Sequence, residues 1–159
     1  MSLTNAKIYV ENIRKALVNL DPANEAKYNA NAAAYLAKFR PLEEQISSVL
    51  STIRTEQHVL VTCEGEFSYF ARDAGMRELY MWAITADQKG PHDQVKQVIT
   101  QMRANKIPVL FCESTVNAKA LEQVASETGA RFSGTLYVDS LTAADGDAPT
   151  YLDMLKFNV

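Results

Sequence analysis

The strongest constraint on this chain is an alternation, over its last hundred or so positions, of short β-branched runs with amphipathic helical stretches. His58-Val59-Leu60-Val61-Thr62 runs into Cys63-Glu64-Gly65, and a helical stretch from about Phe67 to Ala74 follows, closed by Gly75. Leu79 to Ile84 reads as a second strand. Gly90-Pro91 then opens a helix whose Val95, Val98, Ile99 and Met102 fall at i, i+3, i+4 and i+7. Ile107 to Cys112 predicts a third strand, Asn117 to Thr128 a helix stopped by Gly129, and Gly134 to Val138 a fourth strand ending at Asp139. Strands separated by helices of about 10–13 residues imply a parallel sheet covered on both faces. The expected class is α/β: a four-stranded parallel sheet with helices on both faces, preceded by a long connecting helix.

That helix belongs to the first third of the chain. Val10, Ile13, Leu17 and Leu20 form one apolar face, which Asp21-Pro22 ends. From Ala23 to Ile53 a second helical stretch carries Tyr28, Ala32, Tyr35, Leu36, Phe39, Ile46, Val49 and Leu50 at helical spacing. Some thirty residues at about 1.5 Å each give a strut of about 45 Å. Pro41 falls inside it and is expected to kink or split it. Residues 1–55 are thus read as a helical segment containing the strut, and 56–159 as an α/β lobe whose last helix, from Tyr151, stops short.

Several function classes drop out. A net charge of −3 with no concentrated basic patch argues against nucleic acid. No run of about 18 apolar residues is present to span a membrane as a helix, and Met1-Ser2-Leu3-Thr4-Asn5 lacks the features of a signal peptide. Cys63 and Cys112 fit a pair of buried thiols, or a bridge if their strands are neighbours.

In an open parallel sheet, ligands bind beyond the carboxyl ends of the strands. Those ends carry Glu64, Thr85, Glu113 with Ser114, and Asp139 with Ser140. Three carboxylates at one edge repel unless a cation or a buried donor joins them. Oxygen donors with few imidazoles suit manganese or ferrous iron better than zinc. The competing reading makes each acid a cap for the following helix, and Glu113 fits it best, beside Ser114, Thr115 and Asn117. Cys63-Glu64-Gly65-Glu66 has two negative charges where a phosphate loop would have glycines. Asp139-Ser140-Leu141-Thr142 lacks the second acid of a phospho-aspartate motif. His58 starts a strand at the opposite edge and His92 lies in the first turn of a helix, so both read as surface residues and a cysteine nucleophile has no base. Trp82, with Tyr80 and Met81, reads as packing. The competing class is a small Mg-dependent cytosolic α/β enzyme or regulatory domain built on the same acidic edge.

Val61-Thr62-Cys63-Glu64-Gly65-Glu66-Phe67-Ser68-Tyr69-Phe70-Ala71-Arg72-Asp73 closely resembles the metal-binding receptors of ABC transporters (cluster A-I, TroA-like), in their manganese/iron branch. So do Leu79 to Ile84 with Gly90-Pro91, Pro108 to Thr115, Leu136 to Leu141, and Tyr151 to Leu155. Asn5 to Asn24 resembles the approach to that family's interdomain helix. The resemblance implies two α/β lobes joined by a rigid helix. Metal is held between them by two histidines from the N-terminal side and two ligands from the C-terminal lobe.

Those last two map onto Glu64 and Asp139, 139 − 64 = 75 positions apart, with Glu113 and Ser114 as supporting or capping candidates. Zinc-selective relatives place histidine at the position of Glu64 and carry a His-rich acidic loop; this chain has neither, which favours manganese or iron with zinc third. The resemblance further implies a solute-binding protein and no enzyme, a membrane permease as partner with no other protein implied, a periplasmic or surface-lipoprotein location, and a further role in cell adhesion for some members. The departures are specific. Met1-Ser2 matches the segment just after the family's second histidine, so the N-terminal lobe, both histidines and the lipoprotein signal are expected to be missing, and metal binding by the chain alone weak or absent. Glu66 stands where relatives have a small residue, and Pro41 interrupts the strut.

Overall fold

The computed structural model describes residues 2–84 and 92–159, apart from the side chain of His92. The expectations for Thr85 and Gly90-Pro91 lie outside the described residues. Helix α1 (Leu3–Leu20) starts at Ser2, whose hydroxyl accepts the Asn5 N–H at 3.0 Å and donates to Asp73 at 2.5 Å. After Asp21 and a short 3-10 turn at Pro22–Asn24 comes α2 (Glu25–Leu36), then a second 3-10 turn at Ala37–Phe39 and α3 (Arg40–Ser51). The expected strut is therefore split. Pro41 lacks an N–H and its ring crowds the carbonyl four residues back, so the backbone tightens just before it and restarts with Pro41 in the first turn of α3.

Phe39, fully buried at that joint, packs edge-on to Tyr35 with ring centroids 5.5 Å apart. It shares a core with Leu3 and Ala6 of α1, Leu42 of α3, and Ala148, Met154 and Leu155 at the C-terminal end. The helical segment is thereby packed against α7 (Tyr151–Phe157).

The α/β part contains β1 (Val59–Glu64), α4 (Ser68–Asp73), β2 (Arg77–Trp82), α5 (His92–Asn105), β3 (Val109–Glu113), α6 (Lys119–Thr128) and β4 (Arg131–Leu136). Val59, Val61 and Cys63 point to one face, where Val98 and Met102 of α5 and Leu121 and Val124 of α6 cover them. Leu60 faces the other side with Phe67 and Leu136. Each such side chain contributes about 1.5–3 kcal/mol on burial.

The strands are parallel, as expected, but their backbone ladders form two pairs, β1 with β2 and β3 with β4. β1 and β3 lie side by side, so the chain steps from β2 over β1 to β3 and reverses its direction of travel between them. Contacts along this seam run in the same sense: the Gln57 amide donates to the Lys106 carbonyl at 2.9 Å, Cys63 bonds to Cys112, and the Glu64 N–H donates to both Glu113 oxygens at 3.2 Å. The seam is closed by side chains.

One open alternative is decided and one expectation is corrected. Cys63 and Cys112 are a disulfide, because β1 and β3, separated in the chain by two helices and a strand, are spatial neighbours. The fourth strand starts at Arg131, three residues early, and ends at Leu136. Its register against β3 slips by one between Leu110 and Cys112, and Gly134, with φ of 119°, takes the extra residue.

Glu113 is 1% exposed, and burial pushes its carboxyl up to about 7, against the opposing pull of backbone hydrogen bonds, including the one from Glu64. A carboxyl raised above its unfolded value of 4.5 gives its full stabilisation below that pH and loses it as pH rises through about 7. Metal-free Glu113→Gln should match the parent at the acidic end of that window and exceed it above, by up to about 3 kcal/mol. Denaturant midpoints measured across the window test this; parallel curves would refute it. The bridge closes a loop with a sequence separation of 49, for which chain entropy gives about 4 kcal/mol. Cys63→Ala with Cys112→Ala should lower unfolding free energy by about 2–4 kcal/mol, and an unchanged urea midpoint would contradict that.

Candidate metal centre

Glu64 is the last residue of β1 and its backbone is held from both sides. Its N–H goes to Glu113 of β3, its carbonyl accepts the buried Thr62 hydroxyl at 2.8 Å, and the next N–H, of Gly65, reaches the Trp82 carbonyl of β2 at 3.2 Å. The Tyr80 ring packs so close to Gly65 that an added Cβ would sit 3.0 Å from it. The backbone is pinned while the Glu64 carboxylate, among the described residues, takes no hydrogen bond and no ion pair.

Asp139 lies three residues beyond β4. Thr115 donates its hydroxyl to the Asp139 carboxylate, at 3.2 and 3.5 Å from the two oxygens. Just before it, Ser114 donates its N–H to the Leu136 carbonyl at 2.9 Å, and the Ser114 and Ser140 hydroxyls are hydrogen-bonded to each other. The loops after β3 and β4 are thus stitched together around Asp139. The Asn158 amide, at the end of α7, pairs with the backbone of Tyr137 at 2.6 and 3.0 Å and holds the same segment from below.

Between these two acids comes Glu66. Burial raises its pKa first, and the charges of Asp139 and Glu64 raise it further. Its Oε2 is shielded from solvent without a hydrogen-bond partner. Glu113 in turn feels the charges of Glu66 and Glu64. The fold therefore gathers Glu64, Glu66, Glu113 and Asp139 at one edge, and among the described residues no lysine or arginine forms an ion pair with any of them. Such a set attracts a divalent cation with oxygen preference.

The sequence leaves Glu113 either a support for the ligands or a helix cap. It is buried and bound to the Glu64 N–H, while α6 starts at Lys119, whose N–H is accepted by Asn117 at 3.0 Å. Ser114 joins loops and caps nothing. Thr115 was read only as a capping residue, and Thr62 was missed; both sit inside strand-end blocks, two positions from an acid. His58 is half-buried, its Nε2 3.0 Å from the Ile53 carbonyl and 3.2 Å from that of Leu50, at the end of α3 and the wrong end of β1 for this site. His92 opens α5. Cys63 and Cys112 are bonded to each other, which removes both as nucleophiles.

Known proteins share this arrangement of strands and helices. The family model described as zinc-uptake complex component A, periplasmic, matches residues 1–159. The iron-binding protein YfeA of Yersinia pestis is 51% identical over 159 residues, covering all of this chain and 51% of its own length. The manganese ABC transporter substrate-binding lipoprotein scaA of Streptococcus gordonii is 31% identical, again over 100% of this chain and 51% of itself. A manganese-bound periplasmic metal binding protein of Candidatus Liberibacter asiaticus, in a mutant form, superposes with a TM-score of 0.93 at 46% identity, covering 99% of this chain and 58% of that one. The periplasmic zinc binding protein TroA of Treponema pallidum, at 20% identity and a TM-score of 0.87, shows the same fold. This chain spans about half the length of the curated relatives it matches. It belongs to the family of the periplasmic zinc-uptake complex component A.

Proposed function

We propose that this chain is the C-terminal part of a solute-binding receptor that holds a divalent metal ion between two lobes and passes it to the membrane permease of an ABC transporter. In this reading residues 1–55 carry the connection to an N-terminal lobe and 56–159 form the C-terminal lobe. Glu64 and Asp139 supply that lobe's oxygen ligands, Glu113 and Ser114 support them, and the protein works in the periplasm or as a surface lipoprotein without catalysing a reaction. The observation that carries it is the Glu64 carboxylate, free of hydrogen bonds and ion pairs among the described residues, on a backbone pinned to both neighbouring strands, with the charges of Glu64 and of the Thr115-held Asp139 both acting on Glu66.

The cargo follows from donor chemistry. A half-site made of carboxylates favours a hard or borderline ion, manganese or ferrous iron, over zinc. The relatives' names point the same way, one an iron-binding protein and another a manganese lipoprotein, although the family is named for zinc.

A half-site leaves its ion open to water on the other side. Calorimetry on the 159-residue chain should therefore give manganese binding weaker than micromolar, while in the whole receptor Glu64→Ala or Asp139→Ala should each weaken it by at least about 10–100-fold. Submicromolar binding by the chain alone, unchanged by Glu64→Ala, would overturn the assignment.

A further inference from the structure

A second cluster of donors lies one residue inward from the acidic edge. The sulfurs of Cys63 and Cys112 and a carboxylate oxygen of Glu113 all lie within 4.8 Å of one another. The three residues are 0%, 1% and 1% exposed. While the sulfurs are bonded to each other they can ligate nothing. A dithiol reductant changes that: its thiolate attacks one sulfur, the S–S bond breaks, and its second thiol resolves the mixed disulfide. Two electrons and two protons pass to Cys63 and Cys112, and the reductant leaves as its own disulfide.

We propose that the reduced chain holds one thiophilic divalent ion, of the zinc or cadmium class, on Cys63, Cys112 and Glu113, and that this ion and the disulfide exclude each other. The ion displaces both thiol protons, forms two metal–sulfur bonds and takes the Glu113 oxygen as third donor. Metal–sulfur bonds of about 2.3 Å at a tetrahedral angle set the sulfurs about 3.8 Å apart. The seam can open by that amount because β1 and β3 share no backbone ladder that would have to break. Cys63 and Cys112 belong to the same buried apolar core as Val61, Leu110 and Leu121, an environment that suits soft thiolate donors. The site uses neither Glu64 nor Asp139 as a ligand, so it stands whether or not those residues hold the cargo.

The test is a titration of the full chain with cadmium alone, after reduction with a phosphine and removal of the reductant without air. Sulfur-to-cadmium charge-transfer absorption should grow to one ion per chain in the reduced protein and be absent from the bridged one. Cys112→Ser should abolish the band. Glu113→Gln should weaken binding by about tenfold or more, an effect that two cysteines in an unfolded chain would not show. Bound cadmium should also raise the thermal midpoint of the reduced chain and slow its reoxidation. A reduced chain without the band, or with a band indifferent to Glu113→Gln, overturns the proposal.

Discussion

Two side-chain contacts close the carboxyl end of the seam between β1 and β3, and the rest of the α/β half depends on them. The Cys63–Cys112 bond joins the strands one residue before their ends, and the Glu113 carboxyl then takes the Glu64 N–H. A backbone ladder would have left both end residues facing their neighbours in the ordinary way. Here the last N–H of β1 is satisfied by an acid whose own burial is costly. This is also the place where the strand order reverses, the crevice in which open α/β sheets bind ligands. Covalent closure holds the two halves of the sheet together where ladder hydrogen bonds do not.

Strand-to-helix alternation and the acids at strand ends were legible because both depend on local pattern. β1 reads as a run from His58 into Cys63-Glu64-Gly65, and in the structure it starts one residue later, at Val59, and ends at Glu64. Strand order was not legible: nothing in the composition of β1 or β3 says that they are neighbours, so the bridge is one of two readings and Glu113 either a support for the ligands or a cap for the helix next to it in sequence. Gly134 misled for a related reason. A glycine reads as the start of a strand, yet here its positive φ absorbs a bulge in the middle of one. Asp139 was found at the right edge although its strand ends three residues earlier, because the loop that carries it is held by Ser114, Thr115 and Asn158.

Pro41 shows a local rule surviving its context. Proline forbids one hydrogen bond and one backbone approach, and the chain meets both demands by a single 3-10 turn at Ala37–Phe39 before helical backbone resumes. Phe39 fills the joint and is fully buried there. The strut is therefore split without being loosened, and it remains packed on α7, the element that also fixes Tyr137 two residues before Asp139.

Glu66 sets the electrostatic character of the edge. With Glu64 and Asp139 close enough to disfavour its charge, and with one oxygen buried without a hydrogen-bond partner among the described residues, it adds repulsion at that edge. A divalent cation placed among these acids relieves it, because it interacts with several carboxylates at once. In the proposed receptor this makes loading a release of repulsion already present in the lobe. The same repulsion limits which ion can do the relieving. A cation must be approached by several oxygens to neutralise the set, a demand that six-coordinate manganese or iron meets more readily than four-coordinate zinc.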